Sequence, residues 1–108
     1  MNDHEMKMFE GRMTVIADSE IESIVPEFIK EWKEDVITMR HALDLGDYET
    51  IRSISHRMKG TGATCGFDAL TALGTDLLEC TKRMNKHAIA KLLDLLSSYL
   101  EKVNIVYQ

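Results

Sequence analysis

The chain has 108 residues, 44% of them hydrophobic and 29% charged, which is the balance of one globular domain. Its apolar runs are a few residues long, so no segment is expected to span a bilayer, and a formal charge of −5 disfavours nucleic acid as a partner. Cys65 and Cys80 are the only cysteines, too few for a disulfide framework or a four-cysteine zinc site.

Met1-Asn2-Asp3-His4-Glu5 is acidic and lacks the apolar stretch of a secretory signal, and two reduced thiols suit the cytoplasm. Residues 1–16 show no sustained period and are expected to form a flexible N-terminal arm, with the folded domain over 17–108. Order is expected from Ser19, where Ser19-Glu20-Ile21-Glu22 has the form of a capping box. Ile21, Ile24, Val25, Phe28, Ile29, Trp32, Val36, Met39 and Leu43 then recur by threes and fours, one apolar stripe of an amphipathic helix. Pro26 interrupts the stripe, so either a short helix hands over to a longer one or the helix bends. Gly46 supplies the stop.

Asp47 can cap a second long helix whose stripe is Tyr48, Ile51, Ile54, Ser55, Met58, Gly62 and Cys65, with Gly66 at its end. Phe67-Asp68 reads as a staple residue and a cap. A third helix follows, with Leu70, Leu73, Leu77, Cys80 and Met84 inward and Asn85 as its break. The last helix carries Ile89, Leu92, Leu93, Leu96, Tyr99, Leu100 and Val103. No two-residue alternation is sustained, so the expected fold is all-α. It is an antiparallel four-helix bundle with a short N-terminal helical segment.

Charge is distributed unevenly along this plan. Residues 17–50 hold ten acids and three bases, whereas 51–64 hold Arg52, Arg57 and Lys59 and no acid. On a wheel of ~100° per residue, His56 lies ~140° from the buried Ile51 direction, on the solvent side. Its neighbours one turn away are Arg52, Ser53, Lys59 and Gly60, with Ala63 beyond. A glycine inside an exposed helix costs about 1 kcal/mol relative to alanine. If the helix ends at Lys59, Gly60 is its cap. If it continues to Cys65, which the stripe favours, Gly60 and Gly62 need an offset such as the close approach of a helix or a partner.

An imidazole in water titrates near pH ~6.5, so at neutral pH it is largely a neutral nucleophile that can accept a phosphoryl group as a phosphoramidate. Lys59 could balance the charge of that group, and Gly60 leaves the ring unobstructed. No acid cluster lies nearby to hold magnesium. The bland readings are a solvated histidine and a solvated basic face for Arg52, Arg57 and Lys59. His4, His41 and His87 read as surface residues, and Cys65, Cys80, Phe28 and Trp32 as core.

The stretch His56-Arg57-Met58-Lys59-Gly60-Thr61-Gly62-Ala63-Thr64-Cys65-Gly66-Phe67 resembles the histidine-containing phosphotransfer (HPt) motif, a His-x-x-Lys-Gly core followed by small residues. Leu45-Gly46-Asp47-Tyr48 before it, Pro26-Glu27-Phe28-Ile29 and the Leu-rich helix after it fit the same family, over roughly Ser19 to Val103. Met58, where leucine is common, and Thr61, where serine is common, are mild departures.

The resemblance implies a free-standing phosphorelay intermediate, a phosphocarrier and not an ATP-dependent kinase. It implies that His56 is phosphorylated, Lys59 is its charge partner and Gly60 gives clearance for docking. Arg52, Ser53, Arg57 and Ala63 would then face the partner. That partner is expected to be a response-regulator receiver domain that brings its own Mg2+, with a histidine kinase as a second candidate. No cofactor or metal of the chain's own, no membrane, no nucleic acid and a monomeric state are expected. The rival reading is a helical docking module that binds a receiver without phosphoryl transfer. A di-iron bundle would need Glu-x-x-His pairs, but Thr38, Ser53 and Met84 precede His41, His56 and His87 by three.

Overall fold

The computed structural model of the chain describes residues 14–108, and its first two long helices stop where glycine permits a left-handed turn. Helix α1 is Val25–Leu45, α2 Tyr48–Cys65, α3 Asp68–Lys82 and α4 Lys86–Lys102. Gly46 and Gly66 take φ of 70° and 80°, and each donates its N–H back to carbonyls of the helix it closes. Turns this short force each helix back against its predecessor. α1 also packs on α4, so the four helices close into a ring around one core.

Pro26 sits in the first turn of α1, where its missing N–H leaves no hydrogen bond unmade. Of the two outcomes open at Pro26, the chain adopts the hand-over. A 3-10 turn, Ser19–Ile21, precedes the long helix. Three local readings are corrected. The expected capping box is replaced by Asp18, whose carboxylate accepts from the Glu20 N–H at 2.9 Å. Phe67, not Asp68, stands at the cap position of α3, buried and without a side-chain bond. Asn85 opens α4, accepting from the Ala88 N–H at 3.1 Å, while Met84 makes the preceding reversal at φ 52°. Met84 therefore points outward and is 65% exposed, the reverse of the expected inward position.

The purely helical expectation also misses two strands. β1, Thr14–Ala17, pairs in parallel with β2, Asn104–Tyr107, in the register Thr14↔Asn104 through Ala17↔Tyr107. Parallel strands need a long crossover, and here the whole bundle is that crossover. The Ser19 N–H donates to the Gln108 carbonyl at 2.8 Å, and the Gln108 N–H to the Ala17 carbonyl at 2.9 Å. Val15 and Ala17 are buried, so the expected arm is ordered from residue 14. Residues 1–13 of that arm lie outside the described residues.

The core holds Trp32, Met39, Ile51, Met58, Phe67, Leu77, Leu93 and Tyr99. Trp32 stacks on Phe28 at 5.7 Å between ring centroids and meets Phe67 edge-on at 5.3 Å. One acid shares this stripe of α1. Asp35 is 8% exposed, and its Oδ1 accepts from an Arg57 guanidinium N–H at 2.8 Å, tying α1 to α2. Its Oδ2 is buried without a hydrogen-bond partner among the described residues.

Burial pushes the Asp35 carboxyl above its ordinary value of 3.8. The Arg57 hydrogen bond and charge pull it down, and Glu31 and Glu34 add to the rise. Between 3.8 and the raised value the folded chain binds more proton than the unfolded chain, so this group's contribution to stability falls as pH rises. Asp35→Asn removes that titration. In urea denaturation the variant is expected to gain on the wild type as pH rises through this window, then keep a constant offset. Parallel stability curves across the window would show that burial does not set the Asp35 titration.

Candidate functional site

Helix α2 is started by Asp47, whose carboxylate accepts from the Thr50 N–H at 3.1 Å and from its hydroxyl at 2.6 Å. The helix then runs without interruption past Gly60 and Gly62 to Cys65, as the apolar stripe favoured. Ile51, Ile54, Ser55, Met58, Gly62 and Cys65 are buried. Arg52, Ser53, His56, Arg57, Lys59, Gly60 and Ala63 are all exposed. A single helical face thus brings every sequence-predicted site residue together, with His56 at its middle.

The glycines of this region divide by what surrounds them. A Cβ at Gly62 would stand 2.9 Å from Leu70 Cβ, so that glycine admits α3. A Cβ at Gly60 would meet nothing within 4 Å. Packing within the chain therefore offsets the helix cost of Gly62 and leaves that of Gly60 without an internal reason. A third glycine escaped the sequence reading. A Cβ at Gly74 on α3 would stand 3.1 Å from Lys59 Cβ, 3.2 Å from Lys59 Cα and 3.2 Å from the Ser55 carbonyl oxygen. Gly74 follows the core residue Leu73 inside an amphipathic helix, and that position was the available signal for it.

Charge is redistributed by the fold. The Arg52 Nε donates to Glu49 Oε2 at 3.0 Å, and its terminal nitrogen also pairs with Glu49. Arg57 lies 2.8 Å from Asp35 Oδ1 and 4.0 Å from Glu31 Oε1. Lys59 has no ion-pair partner among the described residues. Of the three cations in residues 51–64, the one three positions from His56 keeps its full charge available. Asp35 also escaped the sequence reading, although its position three residues after Trp32 puts it on the apolar stripe.

Among the described residues no three His, Cys, Asp or Glu side chains gather as a metal site. His41 and His87 are exposed, and His4 lies outside the described residues. Cys65 is buried and Cys80 half-buried, both free; burial pushes the Cys65 thiol up, which makes it a poor nucleophile. No helix among the described residues is long and apolar enough to cross a membrane.

The chain matches the family model described as the Hpt domain over residues 23–104, which spans all four helices and the exposed face of α2. No curated protein and no solved structure matches it.

The two contrasting glycines lead to opposite expectations in thermal or urea denaturation. Gly60→Ala gains helix propensity with no contact to disturb, so it should stabilise the chain by up to about 1 kcal/mol. Gly74→Ala drives a methyl group into the α2 backbone, which cannot yield alone, and should cost about 1 kcal/mol net. Equal effects of the two substitutions would contradict the packing described here.

Proposed function

Because the chain belongs to the Hpt domain family, a family of phosphocarrier modules without kinase activity in phosphorelay signalling, we propose that His56 carries the phosphoryl group. One observation carries the assignment. His56 is an exposed histidine mid-helix, one turn from a lysine without an ion-pair partner and from a glycine with open space above it. Hpt domains interact with receiver domains and histidine kinases, and the partner proposed here is the aspartate of a response-regulator receiver.

In this reading the lone pair of an imidazole nitrogen attacks phosphorus in line as the bond to the aspartyl oxygen breaks. The carboxylate leaves with the bonding electrons, and the ring holds a phosphoramidate. The reverse reaction returns the group to a carboxylate. Docking, rather than a pocket, aligns the two reacting atoms. Lys59 donates to the phosphoryl oxygens, and Gly60 lets the receiver close over the ring. Arg52, Ser53, Arg57 and Ala63 surround the approach. The two arginines would meet the partner with Glu49 and Asp35 already attached, so they shape the contact more than they charge it. Mg2+ is assigned to the receiver, since Asp35, Glu31 and Glu49, the acids that meet the arginines of this face, are each engaged in those ion pairs. The chain is taken to act as a monomer, and its two free cysteines suit the cytoplasm.

Incubation with a receiver labelled on its aspartate should place alkali-stable, acid-labile label on the wild type. His56→Gln should fold and take none; label on that variant would end the assignment of His56. Receiver binding without transfer by the wild type would favour the docking-module reading instead. Lys59→Ala is expected to slow transfer by roughly ten- to a hundredfold, the value of about 1.5–3 kcal/mol for a charge-assisted hydrogen bond. An unchanged rate and phosphohistidine lifetime would remove Lys59 from the site.

A further inference from the structure

Beside Lys59, between α2 and α3, the surface opens into a groove of about 490 Å³, a size that suits a small molecule. Tyr48 and Leu78 line it together with the cations Arg52, Lys59 and Lys82. Two acids, Glu49 and Glu79, also line it, but each is already bound. Glu49 holds Arg52, and Glu79 holds Arg83 at 3.0 Å. Lys59 and Lys82 have no ion-pair partner among the described residues. An aromatic ring and a leucine therefore share the groove with two uncompensated ammonium groups.

We propose that this groove is a binding site for a small organic anion. Its apolar or aromatic body would lie against Tyr48 and Leu78, and its negative group between Lys59 and Lys82. His56 does not line the groove, so the ligand sits beside the phosphoryl face and shares only Lys59 with it. Binding here does not require that His56 accept phosphate. A phosphoryl group on His56 and an anion in the groove would, however, draw on the same ammonium.

Phenyl phosphate, with an aromatic body and an anionic end, is the probe, titrated into the full chain and followed by amide NMR shifts. Saturable shifts are expected at Tyr48, Thr75, Leu78 and Thr81, with a dissociation constant on the order of 1 mM for so small a ligand. Inorganic phosphate lacks the body and should bind at least roughly tenfold more weakly. Lys82→Gln, at an exposed position, should weaken phenyl phosphate by about three- to tenfold. Non-saturating shifts spread over the exposed lysines, equal binding of inorganic phosphate, or unchanged affinity in the Lys82→Gln variant would each overturn the site.

Discussion

At Gly74 the third helix lies so close to the second that a single methyl group would press on Lys59 Cβ at 3.1 Å and on the Ser55 carbonyl oxygen at 3.2 Å. The same approach is made from the other side at Gly62, which admits Leu70 of α3. Each helix thus gives up a side chain where its neighbour comes closest, and α2 and α3 form the most extensive contact in the bundle. This reciprocal fit sets the rotation of α2 about its own axis. With Ser55, Met58 and Gly62 turned inward, His56 has to face outward. The orientation of the proposed phosphoryl carrier therefore follows from two glycines that never touch it.

The same packing edits the charge of that outward face. Arg57 is drawn to Asp35 and Glu31 of α1, and Arg52 to Glu49 of its own helix. A segment with three cations and no acid becomes, in space, two ion pairs and one available lysine. Exposed pairs of this kind stabilise a fold only slightly, because water screens them. Their effect lies in selection, since they leave Lys59, of the three, without an ion-pair partner among the described residues. Asp35 is the exception. Its carboxylate is withdrawn from water with one oxygen unpartnered, so it links α1 to α2 at a cost in desolvation.

The paired strands give the bundle a second closure, independent of its helices. β1 enters before α1 and β2 leaves after α4, and their parallel register joins the two ends of the described chain. Val15 and Ala17 extend the core beneath them, while Ile16 faces solvent beside Val106. Strands of four residues present too short an alternation to distinguish from irregular chain, and each depends on a partner about ninety positions away. That is why a helical period was legible over Val25–Leu45 and a strand period over Thr14–Ala17 was not.

Local rules account for what the sequence by itself determined. The threes-and-fours of apolar residues set four helices, glycines at 46 and 66 set two of the turns, and the angle from Ile51 set His56 on the solvent side. Each depends on residues within a few positions of one another. Local reading went wrong where two short-range signals competed, as at Asp18 against Ser19 and at Met84 against Asn85. Tertiary structure alone decided that Gly60 is open while Gly62 and Gly74 are filled, that Arg57 is engaged by Asp35, and that the chain ends pair as strands. These are distances between residues far apart in the chain, and periodicity along one helix carries no information about what stands opposite it.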